Sequence, residues 1–112
     1  METLKKNLSG SVLWLLVALD AQAAGTDYLL TIKDHRFEPA ELVIQANQKV
    51  KIRVENQDPT AEEFESYELN REKIVPAHGK ITIFIGPLKP GTYRYFGDFN
   101  PTTAQGVIVA KE

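Results

Sequence analysis

A strictly alternating run of apolar and polar residues, VKIRVE at residues 50–55, restricts the fold more than any other feature of this sequence. Such a run puts every second side chain on the same face of an extended chain, which predicts a half-buried β-strand. Further period-two sets lie at residues 28–33 and 81–85, and a β-branched run lies at residues 107–109. There is no helical stripe of useful length, although residues 66–73 are compatible with one helical turn or an edge strand. Turn-forming segments separate the strands, so the pattern predicts an all-β sandwich or barrel.

The first two dozen residues have a different character. Lys5 and Lys6 precede an apolar run, VLWLLVAL at residues 12–19, and the small residues of Ala21-Gln22-Ala23 follow it. This layout predicts a secretory signal peptide at residues 1–23, cleaved near Ala23/Ala24, and an exported domain at residues 25–112. The alternatives are an uncleaved anchor and an amphipathic first helix, although the apolar run is too short to span a bilayer.

Composition narrows the chemistry that the exported domain can perform. The 112-residue chain contains no cysteine, which excludes disulfides and thiolate ligands. Its net charge is −2 and it has no basic patch, so we do not expect nucleic acid as a partner. The mildly acidic balance favours small cations over anions.

The turns also predict which loops lie together. We expect the turns at residues 45–48 and 89–91 each to join the two flanking strands as a hairpin, which fixes one consistent strand polarity. That polarity places four segments at the same end of the domain: residues 34–39, 56–65, 76–80 and 97–105. Binding sites on rigid β scaffolds are commonly built from such clustered loops.

Three motifs resemble those of a known family. The sequence PGTYRYFGDFNP at residues 90–101, followed by AQGVIV at 104–109, resembles the C-terminal signature of cupredoxins. FEPA at residues 37–40 resembles the opening of these domains, and NQD at residues 56–58 resembles the motif that precedes their first histidine ligand. The resemblance implies a cupredoxin-like Greek-key β-sandwich of about 7–8 strands.

The four blue-copper ligands of that family are all replaced in this sequence. Carried over by position, the first histidine falls at Glu62, the cysteine at Gly97, the second histidine at Asn100 and the methionine near Ala104. A blue-copper centre requires the thiolate and the imidazoles. The resemblance therefore implies the fold, and the replacement of the four ligands excludes a blue-copper centre.

A narrower resemblance concerns EEFE at residues 62–65, which is similar to the H-E-F-E stretch of EfeO-type cupredoxin-like domains with the histidine replaced. These are small periplasmic components of bacterial ferrous-iron permease systems. The resemblance implies a periplasmic protein that binds copper or iron, alongside an inner-membrane iron permease and a P19-type periplasmic metal-binding protein. It also implies oxidation of Fe(II) as a possible activity.

Carboxylate and imidazole groups near the predicted loop end could form a changed metal site, since oxygen and nitrogen ligands suit copper and iron. The predicted metal ligands are Glu62, Asp98, His78, His35 and Glu65. Glu38, Asp58 and Glu63 are further potential ligands, although Glu63 and Glu65 point away from Glu62 in any extended segment.

Each of these residues also has a simpler interpretation: the glutamates form a solvated acidic loop, the histidines lie at the surface, and Asp98 caps its own loop. Tyr93, Tyr95 and Phe96 are interpreted as core residues rather than as an electron-transfer path.

The sequence contains no Ser/His/Asp set and no phosphate-binding glycine loop, which argues against a general hydrolase. Three functions remain open. The first is capture and hand-over of copper or iron. The second is a metal-free module that docks on a permease or partner protein. The third is a copper-dependent ferrous-iron oxidase.

Overall fold

The computed structural model describes residues 26–112, a β-sandwich without helices in this range. The predicted signal peptide at residues 1–23 lies outside the described residues. The strands are β1 (Asp27–Lys33), β2 (Arg36–Glu38), β3 (Glu41–Gln45), β4 (Val50–Asn56), β5 (Glu62–Ser66), β6 (Arg71–Val75), β7 (Lys80–Ile85), β8 (Gly91–Gly97) and β9 (Gln105–Lys111). The all-β prediction is confirmed, with nine strands where about 7–8 were expected. Within residues 26–112 we find no helix that could cross a membrane.

Two sheets face each other across the core. One has the strand order β2-β1-β4-β7 and the other the order β3-β9-β8-β5-β6. The pairs β1–β4 and β3–β9 are parallel, and the remaining pairs are antiparallel.

The two predicted hairpins are wrong in one respect. β3 and β4 lie in different sheets, and so do β7 and β8, so the turns at residues 45–48 and 89–91 cross between the sheets. A period-two pattern shows which face of a strand is buried but not which strand is its neighbour. The predicted strand polarity is still correct, because a connection between the two sheets reverses the direction of the chain as a hairpin does.

The core follows the alternation seen in the sequence. Val50, Ile52 and Val54 of β4 are buried, and the residues between them are half-buried or exposed. Phe64 of β5 and Tyr95 of β8 stack with their ring centroids 5.0 Å apart. The ring of Phe37 on β2, in the other sheet, lies 4.9 Å from that of Tyr95, so residues of both sheets meet in one apolar layer, as in other sandwiches.

The stretch at residues 66–73 forms a turn and then the edge strand β6, so the edge-strand alternative is the correct one. Asn70 in the turn has φ 55°. Arg71 donates from Nη2 to the Phe84 carbonyl of β7 at 3.0 Å, which joins the edges of the two sheets. Charged side chains at Glu72 and Lys73 cover this edge strand, a common protection of unpaired strand edges.

Candidate functional site

The buried side chain of Asn56 connects the loops at one end of the sandwich through hydrogen bonds. Its Nδ2 donates to the carbonyl of Thr60 at 2.9 Å and to that of Pro76 at 3.2 Å. Its Oδ1 accepts a hydrogen bond from the Asp58 backbone N–H at 2.9 Å. One amide therefore ties the segment after β4 to the segment after β6.

Asp58 fastens the turn between β1 and β2. Its two carboxylate oxygens accept the backbone N–H groups of Asp34 at 2.7 Å and His35 at 2.9 Å. Its carbonyl accepts the backbone N–H of His78 at 3.0 Å. Both histidines are exposed turn residues in the left-handed region, with φ 59° for His35 and 53° for His78. Asx side chains commonly organise turns in this way.

Glu62, which the resemblance places at the position of the first copper ligand, is 1% exposed. Its Oε1 accepts the backbone N–H groups of Glu63 at 3.0 Å and Phe99 at 2.8 Å. Its Oε2 accepts a hydrogen bond from Asn100 Nδ2 at 2.8 Å. The carboxylate is thus held by three donors within the protein, as buried carboxylates require.

The four replaced positions do lie together. An ideal Cβ on Gly97 would be 2.6 Å from Glu62 Cδ and 2.7 Å from Ala104 Cβ. The Glu62 carboxylate therefore fills the room that a side chain at position 97 would need. Asn100 and Glu62 are in direct contact, and the backbone N–H of Gly97 donates to the Ala104 carbonyl at 2.8 Å.

These residues do not fit a blue-copper ion. Glu62 supplies oxygen where the family has an imidazole, Gly97 supplies no side chain, and Asn100 presents its amide donor to Glu62 rather than to an ion. A blue-copper centre needs a thiolate and two imidazoles. The exclusion drawn from the sequence therefore agrees with the geometry.

A second group of carboxylates lies on the outer face of β5 and β6. Glu63, Glu65 and Glu72 each offer a ligand oxygen, and these atoms lie within 4.8 Å of one another. Glu65 stands directly opposite Glu72 in the antiparallel β5–β6 pair. Side chains of directly opposed residues lie close together in a sheet. We call this set the outer carboxylate group.

The side chains of the outer carboxylate group repel one another when they are ionised. A hydrogen bond with Glu72 raises the pKa of Glu63 from 4.5 to about 7, and partial burial contributes. Partial burial, followed by the charges of Glu72 and Asp98, also raises the pKa of Glu65. Asp98 belongs to this neighbourhood because its backbone N–H donates to the Glu63 carbonyl at 2.9 Å. Like charges at this spacing favour the protonated form.

The five predicted ligands do not gather at one point. Glu65 belongs to the outer carboxylate group and Asp98 adjoins it, whereas Glu62 lies on the inner side of β5. His35 and His78 lie at Asp58, and within the described range neither joins a group of ligand atoms close enough for a metal ion.

Sequence reasoning missed Glu72 and left Glu63 out of the predicted ligands. A hairpin centred on residues 67–70 would have placed Glu65 opposite Glu72, and that register was the available signal.

An aromatic groove adjoins the outer carboxylate group on the same sheet face. Phe96 pairs with Glu65 across β5 and β8, and its ring meets Tyr67 at 5.4 Å. The groove has a volume of about 560 Å³, and Arg94, Pro101 and other residues complete its lining. Tyr67 is 76% exposed. Phe96, predicted as core, therefore lies half-buried on this outer face instead. The core prediction holds for Tyr95, which is buried, and for Tyr93, which is partly buried against the core.

The two sheets, with four former ligand positions at one end, define a cupredoxin-like sandwich. The chain belongs to the cupredoxin-like domain family, whose sequence profile matches residues 8–110. An uncharacterized protein of Rickettsia prowazekii (strain Madrid E) is 48% identical to it over 83 residues, which are 74% of this chain and 66% of the relative.

Solved structures with the same fold include copper proteins. The metal-binding domain of the Cu(I)-exporting P-type ATPase CopA of Streptococcus pneumoniae, with Cu(I), superposes with a TM-score of 0.68 at 14% identity, covering 77% of this chain and 85% of that one. Reduced auracyanin of Roseiflexus castenholzii gives a TM-score of 0.62 at 13% identity, covering 78% and 98%. Amicyanin of Paracoccus versutus gives 0.61 at 13%, covering 76% and 81%. At these identities the likeness shows the fold alone.

Proposed function

We propose that this protein is a periplasmic metal-binding protein that captures copper or iron through the outer carboxylate group and hands the metal to an uptake system. The observation that carries the proposal is the approach of Glu63, Glu65 and Glu72 oxygens to within 4.8 Å of one another. Carboxylate oxygens are hard ligands, and three of them leave coordination positions for water or for an acceptor.

The charge of the group supports a cation as its ligand. Glu63 has a pKa of about 7 because of Glu72 and its other acidic neighbours, so a proton partly occupies the group at neutral pH. A metal ion would replace that proton and relieve the repulsion between the carboxylates. Asp98 stands close enough to influence the pKa values of Glu63 and Glu65, so it adds negative potential at the same place.

Metal-binding measurements test the proposal. We would titrate the purified protein with Cu(II) and with Fe(III)-citrate by equilibrium dialysis, and compare Glu65→Gln with Glu41→Gln as a matched control. Glu41 is an exposed glutamate on β3, at the opposite edge of the same sheet. We expect binding with a micromolar dissociation constant, at least tenfold weaker in Glu65→Gln and unchanged in Glu41→Gln. If the native protein retains neither metal at micromolar concentrations, the proposal fails.

The uptake role extends the EfeO-type resemblance. In this role the protein would serve an inner-membrane iron permease together with a P19-type periplasmic protein. Deleting its gene should then slow uptake of iron at limiting concentrations, and the Glu65→Gln variant should not restore the rate. Full uptake in the deletion strain would refute the role while leaving metal binding to be judged by dialysis.

A second function, docking of a metal-free module on a permease or partner protein, is favoured by the aromatic groove. The groove adjoins four acidic residues, and Tyr67 and Phe96 offer aromatic surface, so a partner with a basic residue beside an apolar side chain would fit. Aromatic residues often dominate such interfaces. Tyr67→Ser should abolish capture of the permease's periplasmic segments, and capture should persist in a chelator. Metal-dependent capture would instead favour the first function.

The third function, copper-dependent oxidation of Fe(II), has a direct test. Oxygen uptake with Fe(II) should accelerate only when the copper-loaded protein is present. No acceleration over copper alone would remove this alternative.

A further inference from the structure

The position to which the resemblance assigns the family's copper ligands is filled by the Glu62 carboxylate, which lies against Gly97 and Asn100. Glu62 comes from β5, and its three donors come from β5 and from the loop between β8 and β9. The resemblance assigns the family's ligands to β5, to the last residue of β8 and to the loop that follows it. We propose that the Glu62 carboxylate replaces the copper ion as the link between them, so that this end of the sandwich is closed without a metal.

Asn100 is the centre of the loop that Glu62 holds. Its side chain donates to Glu62 Oε2 at 2.8 Å, and its carbonyl accepts the backbone N–H of Ala104 at 2.9 Å. The loop then returns to β8, because the N–H of Gly97 donates to the Ala104 carbonyl at 2.8 Å. A carboxylate that fixes Asn100 therefore fixes the whole turn from β8 to β9.

The geometry also closes this position to metal ions. Both oxygens of Glu62 already accept hydrogen bonds, and the side chain is 1% exposed. A metal ion would have to displace donors such as the Phe99 N–H and the Asn100 side-chain amide and break their hydrogen bonds to the carboxylate. Hydrogen bonds to a charged group are stronger than those between neutral groups, so their loss is costly. Gly97 completes the arrangement, since any larger residue would overlap the Glu62 carboxylate.

Amide hydrogen exchange distinguishes a role of Glu62 as hydrogen-bond acceptor for the β8–β9 loop from a role in packing alone. Glu62→Ala removes the acceptor, so we expect the Phe99 amide to exchange about 10- to 100-fold faster, in line with the loss of one to two hydrogen bonds. Glu62→Gln keeps an oxygen for the Phe99 N–H, and a rotated Asn100 amide can offer its own oxygen to the new amide group. This variant should therefore keep most of the protection. Equal loss of protection in both variants would overturn the proposal, and so would full protection in Glu62→Ala.

Metal dependence supplies a second, independent test. In the Glu65→Gln variant, where the outer carboxylate group is impaired, the urea midpoint should be the same in EDTA, Cu(II) and Fe(III). A metal-induced stabilisation that persists in Glu65→Gln and disappears in Glu62→Ala would place the metal at Glu62 and refute this inference. A stabilisation lost in Glu65→Gln alone would agree with both proposals. No metal effect in the native protein would count against the proposed function and leave this inference intact.

Discussion

The carboxylate of Glu62 and the missing side chain of Gly97 share one space, because an ideal Cβ at position 97 would lie 2.6 Å from Glu62 Cδ and 2.8 Å from its Oε2. The two residues are 35 positions apart and face each other from β5 and the end of β8. A glycine here is thus required by the carboxylate rather than by its own backbone conformation.

Replacing Gly97 with alanine should therefore destabilise the fold. The methyl group would have to displace the Glu62 carboxylate and press on Ala104, and overpacking of this kind costs about 1–3 kcal/mol. Urea unfolding measures the change. In a Glu62→Ala background the cost should be smaller, although contact with Ala104 Cβ at 2.7 Å would remain. Additive costs in the double variant would show that the two residues do not compete for space.

Asn56 should be sensitive to an isosteric change. Its Nδ2 faces carbonyl oxygens of Thr60, Val75 and Pro76, so a carboxylate in Asn56→Asp would meet acceptors where the amide has donors. We expect the variant to lose about 3 kcal/mol or more at pH 7, at least as much as Asn56→Ala. Part of the loss should be recovered at pH 4, where a protonated carboxyl can donate one hydrogen bond. A variant as stable as the native protein at pH 7 would contradict this assignment.

The sequence was sufficient to predict the β-sandwich and the strand polarity that brings the four loops to one end. Alternation in β4 predicted the burial of Val50, Ile52 and Val54, because a period of two defines one face. The motif at residues 56–58 was found by resemblance, but its role as a fastener of three turns depends on contacts with residues 34–35 and 76–78. Contacts between residues that are far apart in the sequence do not change the local pattern of apolar and polar residues, so that pattern cannot predict them.

The chemistry of the site was only partly predictable for a related reason. The resemblance assigned position 62 to a replaced ligand, but whether its carboxylate reaches a metal or a neighbour depends on the room at Gly97 and on the amide of Asn100. Glu72 was missed because residues 66–73 were compatible with two local structures, and only the strand alternative places Glu72 opposite Glu65.

Stability should fall as the pH rises through neutrality. The pKa of Glu63 is raised to about 7 in the folded protein from 4.5, so the folded state binds a proton that the unfolded chain has already released. The contribution is complete below about pH 4.5 and is lost as the pH rises through 7. In the absence of metal, the urea midpoint should therefore decrease between pH 5 and pH 8.

The Glu63→Gln variant checks that assignment, because its neutral amide does not titrate. Its midpoint should vary less over the same pH interval, whereas Glu41→Gln should keep the native slope. A native slope that survives in Glu63→Gln would show that another group titrates.

The hydroxyl of Tyr95 should be dispensable for stability. The residue is 2% exposed, burial raises the pKa of its hydroxyl, and that oxygen has no hydrogen-bond partner among residues 26–112. Tyr95→Phe keeps the ring that stacks on Phe64 and removes a buried polar group without a partner. We expect the variant to gain about 1 kcal/mol in the free energy of unfolding.

The neighbouring Tyr93 offers a matched control, because its hydroxyl donates to the Lys89 carbonyl at 2.8 Å. Tyr93→Phe should lose up to about 1 kcal/mol where Tyr95→Phe gains it, as expected for removal of a hydrogen bond that is made. Urea unfolding of the two variants under the same conditions compares them directly. A loss in Tyr95→Phe as large as that in Tyr93→Phe would mean that the buried hydroxyl makes a hydrogen bond in solution, most simply with a bound water molecule.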